Sequence, residues 1–250
     1  MPANSPVRLF DIVTPGSTNH HGTLFGGIGL AHMDKVAFIA AARFGRADFV
    51  TASCERIDFA APCRLGDIVT VEGRVVRRGR RSLGVEVKLL AEAPLSGEIR
   101  HCGGGLFSMV AIGEPPPVFP ELVESVADIE EELRMVDLVL PGLTGQGGRM
   151  AAGRSIDAMA RAAWIAATRA TRQELQLAES RDVVLEQAIA PGEVMELVPR
   201  LEAAAPGDLW VSVELRAEDV LTGVQRRCGG GRFRLAAVPA LAGLATPVAA

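Results

Sequence analysis

The chain contains no tyrosine, and aromatic residues make up only 4% of its 250 positions. Proteins that hold single-stranded nucleic acid stack bases on exposed rings, so this composition argues against that role. Excess positive charge is also missing. Lys and Arg total 26 against 30 Asp and Glu, a net charge of −4, which gives no overall pull toward nucleic acid or an anionic membrane. Long apolar runs are absent; a stretch such as Val36 to Ala42 is far too short to cross a bilayer. Residues Met1 to Phe10 lack the basic segment followed by an apolar core that marks a signal peptide. The four cysteines, Cys54, Cys63, Cys102 and Cys228, show no metal-ligand spacing and read as reduced, mostly packed thiols. A cytoplasmic protein without a metal centre is the expectation.

What is present is an ordered alternation of patterns. Val7 to Val13 alternates as a strand, and Pro15-Gly16 turns the chain. A glycine-punctuated loop, Asn19-His20-His21-Gly22-Thr23-Leu24-Phe25-Gly26-Gly27, leads into a proline-free segment reaching about Phe44. Its apolar residues fall at helical spacing: Leu30, Met33, Ala37, Ala40, Ala41, Phe44. This predicts a helix apolar nearly all round, and therefore buried. Strand patterns follow at Phe49 to Phe59, Asp67 to Arg78, Ser82 to Ala91 and Ile99 to Ile112, the last interrupted by three glycines. One helix followed by four strands on short turns predicts an α+β unit with an antiparallel sheet laid around a helix.

The pattern then returns. Asp11-Ile12-Val13-Thr14-Pro15-Gly16 is matched by Asp137-Leu138-Val139-Leu140-Pro141-Gly142, a shift of 126 positions. The shift persists to Arg100, Cys102, Gly103, Gly104, Gly105 and Phe107 against Arg226, Cys228, Gly229, Gly230, Gly231 and Phe233. A register kept from first strand to last is the mark of duplication. The expected organisation is a first unit over 1–113, a proline-rich and acidic linker over 114–132, a second unit over 133–240 and a frayed tail over 241–250. A lone curved sheet has open edges, so the two sheets are expected to join edge to edge, setting the two helices side by side and antiparallel.

Chemistry concentrates in the first copy. A helix N-terminus offers unpaired amides and partial positive charge, and Gly26-Gly27 leaves those donors open to a carbonyl oxygen, in the manner of an oxyanion hole. Asp34 stands among apolar residues, where a carboxylate is costly unless it is paired or used; the other reading is an exposed acid on a polar strip with Lys35. Asn19 holds a water or carbonyl, or closes its own loop as an Asx-turn. Arg77-Arg78-Gly79-Arg80-Arg81-Ser82 is either a solvated hairpin tip or a phosphate clamp. Asp34 lies eight residues beyond Gly26, about 12 Å along a helix, so one small reacting group reaches both only when a second unit contributes.

Pro15, Thr18 to Gly27, Met33-Asp34, Phe49 to Ser53, Ile57-Asp58-Phe59 and Gly66-Asp67 together resemble the acyl-CoA hydrolase branch of the hotdog-fold thioesterases. The likeness is specific over about residues 7 to 112. It implies a double hotdog, each unit a long central helix wrapped by a curved antiparallel sheet, which hydrolyses an acyl-CoA to coenzyme A and a carboxylic acid. By the same resemblance Asp34 is general base or nucleophile, Asn19 positions water or substrate, and amides near Gly26 and Gly27 hold the thioester oxygen. Arg80, Arg81 and Ser82 would face the phosphates of coenzyme A, which is part of the substrate; no separate cofactor is implied. The expected partners are an acyl-CoA and further copies of the chain in a homo-oligomer, with neither nucleic acid nor membrane. At the 126 shift Asn19 becomes Gly145, His20 becomes Gln146 and Asp34 becomes Ala160. If the halves of one chain pair, Gln146 and the amides near Gly153 stand in opposite Asp34; otherwise first halves of two chains pair. A non-catalytic acyl-CoA-binding or scaffold protein is the alternative.

Overall fold

The computed structural model describes residues 4–114, 117–122, 132–145, 147–202 and 208–238. The first half runs β1 (Val7–Ile12), α1 (Gly26–Gly45), β2 (Phe49–Asp58), β3 (Ile68–Arg78), β4 (Ser82–Glu92) and β5 (Ile99–Ala111). The second repeats it as β6 (Met135–Leu138), α2 (Ala152–Thr171), β7 (Leu175–Leu185), β8 (Val194–Leu201), β9 (Asp208–Glu218) and β10 (Gln225–Ala237). Each half is an antiparallel five-stranded sheet, ordered β1-β3-β4-β5-β2 and β6-β8-β9-β10-β7, with its own helix packed on it. The identical strand order is what a 126-residue duplication produces. Residues 123–131 of the expected acidic linker and the expected tail over 241–250 lie outside the described residues.

Burial explains the strand pattern. β4 alternates, with Leu83, Val85, Val87 and Leu89 buried beneath α1 while Gly84, Glu86 and Lys88 turn away. Met33, Val36, Ala37 and Ile39 of α1 are fully buried against that face. Burying each such Val, Leu or Ile side chain contributes roughly 1.5–3 kcal/mol, and the small alanines let helix and sheet approach closely. The helix is not buried all round, as its composition predicts; Gly27, Leu30, Ala31 and Asp34 are exposed. The apolar residues are spread so widely that periodicity alone does not show which strip is left uncovered.

The triple glycines do not interrupt a strand. β5 and β10 run through them. A Cβ on Gly103 would stand 2.3 Å from the Asp58 carbonyl oxygen, and one on Gly229 would stand 2.2 Å from that of Val184. Backbone crosses backbone there, and only glycine fits. Cys102 lies out of register at this point, since Leu89 pairs with Gly103 and Leu90 with His101, which makes a bulge.

The two sheets do not fuse into one, contrary to the edge-to-edge expectation. Their ladders stop within each half, and β1 lies beside β6 without joining it. The reason is that side chains, not backbone bonds, fill the seam. Val136, Leu138 and Val194 pack into the first core and Ile68 into the second. Around them stand reciprocal ion pairs. Lys35 Nζ lies 2.6 Å from Asp137, and Arg161 Nη1 lies 3.2 Å from Asp11; the 126 shift exchanges one pair for the other. Buried Glu218 accepts from Arg43 Nε (2.9 Å) and Arg46 Nη1 (3.1 Å). Its counterpart, buried Glu92, accepts from Arg169 (2.7 Å) and Arg172 (2.6 Å). Arg46 and Arg172 end their helices in the left-handed region, at φ 46° and 56°. That conformation is uncommon for a residue with a Cβ. Each side chain also donates to a carbonyl of the other half, Val220 or Pro94, so the cap and the seam are one structure.

Candidate active site

Asp34 sits on the exposed side of α1, and the Thr51 hydroxyl of β2 donates to its Oδ1 at 2.5 Å. Of the two readings open to Asp34, exposure holds within a single chain, but not the partnership with Lys35. Successive residues on a helix point about 100° apart. Lys35 therefore faces the seam and Asp137, His32 faces Asp11, and Asp34 faces β2. That strand is an outer edge, paired among the described residues only with β5, and residues 50–56 are exposed. Phe25, Leu30, Val50 and Phe59 are likewise exposed. Cys54 stands close enough that partial burial, and then the Asp34 charge, push its thiol up from the ordinary value. Thr51 is a residue that spacing does not single out. In the sequence it enters only as a member of the matching run Phe49 to Ser53, and it acquires a role of its own only when β2 is folded against α1.

The loop before α1 is closed on itself. Asn19 Oδ1 accepts from the amides of His21 (2.9 Å) and Thr23 (3.3 Å), while Nδ2 donates to Thr23 Oγ1 at 3.0 Å. Asn19 thus adopts the turn-forming arrangement. His20 and His21 are exposed, their rings 3.8 Å apart. No side chain caps α1 at Phe25, which leaves Gly26 and Gly27 at an uncapped N-terminus. Gly26 lines a cavity of about 290 Å³ with Leu24, Phe59, Cys63 and Leu89. The structure therefore assembles two separate clusters in the first half, the amide end at Gly26-Gly27 and the Asp34–Thr51 pair, without bringing them together.

Among the described residues, the hydrogen bond recorded for the Asp34 carboxylate comes from Thr51 of its own half. Gly153 lies exposed in the first turn of α2, which no side chain caps. Gln146 is outside the described residues. Ala160 takes the place of Asp34, and the α2 residues Asp157 and Arg161 face β1 and the seam rather than Asp34.

The arginine run is partly committed. Arg81 donates to Glu114 (2.6 Å) and to the Gly113 carbonyl (2.8 Å), Arg78 to the Pro120 carbonyl, and Arg77 pairs with Glu55. Arg80 is exposed, and Ser82 closes the turn by accepting the Gly79 amide.

A long helix held in a curved antiparallel sheet, twice over, with an acid on the first helix, is the double-hotdog architecture. The model of the thioesterase superfamily matches residues 21–97. The uncharacterized acyl-CoA thioester hydrolase YkhA of Bacillus subtilis is 37% identical over 126 residues, covering 49% of this chain and 71% of that protein. The mouse cytosolic acyl coenzyme A thioester hydrolase is 32% identical over 129 residues, and the match spans 34% of its length. Over nearly the whole chain, the crystal structure of an acyl-CoA hydrolase from Agrobacterium tumefaciens superposes with a TM-score of 0.86 at 45% identity, covering 94% of this chain and 96% of that one. The chain belongs to the thioesterase superfamily, in its acyl-CoA hydrolase branch. Among the described residues no helix is long and apolar enough to cross a membrane.

Proposed function

We propose that the chain hydrolyses the thioester of an acyl-CoA, with Asp34 as its acid–base or nucleophilic group. The observation that carries this reading is the Asp34–Thr51 pair on an open edge. The Thr51 hydroxyl fixes the carboxylate rotamer and leaves Oδ2 to act. As general base, Asp34 takes a proton from water as the oxygen attacks the thioester carbon; the C–S bond then breaks and coenzyme A leaves as its thiol. Uncapped amides of a helix N-terminus polarise the carbonyl oxygen. Those of Gly26-Gly27 lie about 12 Å from Asp34 along the same helix, so the amides come from an opposing unit. In this reading that unit belongs to another copy of the chain, because this chain's own second half meets the first at the β1–β6 seam. Either Gly26, Gly27 and Asn19 of a second copy, or Gly153 and Gln146 of a second copy, complete the site. Arg80 is the arginine left to meet a phosphate of coenzyme A.

The units extend over 1–113 and 133–240, joined by the linker 114–132. The protein works in the cytoplasm as a homo-oligomer and needs no cofactor beyond its substrate. The test is hydrolysis of a panel of acyl-CoAs by the wild type and Asp34→Ala. A loss of at least about 100-fold in kcat, the scale of a general base, is expected; equal rates would remove Asp34 from the mechanism.

A further inference from the structure

A second cavity lies on the other side of α1, at the seam between the halves. It encloses about 220 Å³ and draws its lining from β1 and α1 of the first half and from β6, α2 and β8 of the second. Its inner wall is apolar and buried, formed by Met135, Met150, Met195, Leu197 and Ile165. Three methionines give that wall adaptable, polarizable side chains suited to ligands of no single shape. Its rim is polar. An apolar interior with a few polar groups at one end is the build of a small-molecule site.

The lining of the cavity includes a break in the repeat. The 126 shift carries His32 onto Ala158, and both line this space. On the first-half side the larger imidazole stands at the position and lies 3.3 Å from Asp11. On the second-half side the position holds only a methyl group. His32 Nδ1, meanwhile, is buried with no hydrogen-bond partner.

The rim charges select the ligand. Its three acids are engaged: Asp137 by Lys35, Asp11 by His32 and Arg161, and Asp157 by Arg161 at 3.0 Å. Arg154 is exposed at the rim, and among the described residues no ion pair holds it. The open charge at the rim is thus a guanidinium beside an apolar chamber. At roughly 30 Å³ per water-sized group, the chamber takes about seven heavy atoms.

We propose that this seam cavity binds a short- to medium-chain aliphatic carboxylate, its tail among Met135, Met150 and Met195 and its carboxylate on Arg154. The site is distinct from Asp34 and does not depend on hydrolysis.

Isothermal titration calorimetry of the full chain with octanoate tests this. Octanoate is expected to bind one per chain to the wild type and equally to Asp34→Ala, with octylamine failing to bind. Arg154→Gln, a change at an exposed position, should weaken octanoate at least about fivefold without shifting Tm. Ala158→His, which restores the repeat and fills the chamber, should abolish binding. If Ala158→His unfolds the chain, Ala158→Leu serves as the second filling variant, with Tm and far-UV circular dichroism as the check. No octanoate binding to wild type overturns the proposal and leaves the cavity a packing defect. So does binding that survives both Arg154→Gln and a folded filling variant, or binding lost in Asp34→Ala.

Discussion

Replacing Glu92 by Gln tests how the two halves are held. Glu92 is 3% exposed and accepts from two arginines of the other half, Arg169 and Arg172. Gln keeps the volume and one acceptor oxygen but removes the charge. A hydrogen bond to a charged group contributes about 1.5–3 kcal/mol, and stripping one partner from a buried pair costs about 3–5 kcal/mol. The arginine side chains are 25% and 37% exposed, so water recovers part of their solvation and the lower end applies. The expected loss is about 2 kcal/mol, or about 4–8 °C in Tm for a chain of this length. Glu218→Gln should cost nearly the same, because Arg43 and Arg46 meet it in the equivalent arrangement. Trp164 and Trp210 both lie in the second half. Urea titrations followed by tryptophan fluorescence and by far-UV circular dichroism therefore report the second half and the whole chain separately. If the seam couples the halves, both probes move together in each variant, and Glu92→Gln shifts the fluorescence midpoint although neither tryptophan is in its half. A change below about 0.5 kcal/mol in both variants, or a fluorescence midpoint untouched by Glu92→Gln, would refute the reasoning.

Thr51→Val keeps the shape of the side chain and removes the bond to Asp34; kcat for acyl-CoA hydrolysis should fall about tenfold with Tm nearly unchanged, read from steady-state rates and a thermal melt. Gly103→Ala places a methyl group 2.3 Å from the Asp58 carbonyl oxygen and should destabilise by about 2–4 kcal/mol in a urea titration, far more than Gly16→Ala, where nothing lies within 4 Å. The hydrogen bond from Arg226, helped by the Ala190 amide, outweighs burial and holds the Glu193 carboxyl below its ordinary 4.5. That contribution is fully present above about pH 4.5 and is lost as pH falls through the lower folded value, so Glu193→Gln should flatten the acid limb of a stability–pH curve measured from pH 6 to 3.

The fold was legible because its determinants are local or repeated. Turn residues such as Pro15-Gly16 and the alternation in 68–78 and 82–92 define the strands, and the constant shift of 126 supplies the second copy without further information. The site was legible only as residue types. That Asp34 carries a carboxylate on α1 is in the sequence; that it faces β2 rather than the second half is not, because this depends on which edge each sheet offers. The preference for a fused sheet failed for the same reason. Open edges predict that something must cover them, but whether backbone or side chains fill a seam depends on Arg43, Arg46, Arg169 and Arg172 reaching across more than a hundred residues. Thr51 and the seam cavity were equally hidden. One needs the tertiary contact between β2 and α1, and the other needs the difference between His32 and Ala158 to be seen as lost volume.

The two copies have diverged unevenly, and the pattern separates structure from chemistry. Positions that hold the seam match across the 126 shift: Asp11 and Asp137, Lys35 and Arg161, Arg43 and Arg169, Arg46 and Arg172, Glu92 and Glu218. Each is charged in both halves with the same sign, and each pair is used reciprocally. Positions suited to chemistry do not match, since Asn19 corresponds to Gly145 and Asp34 to Ala160 at the same shift. A reciprocal ion pair needs both members in both copies, because losing one leaves a buried charge unpaired. A composite active site has no such constraint, since one acid and one set of amides suffice. The second half is therefore free to lose its acid as long as it keeps the seam. With the seam on one side of α1 and Asp34 on the other, β2 remains the open edge, and under the proposed function a second copy of the chain brings the amides that Asp34 lacks.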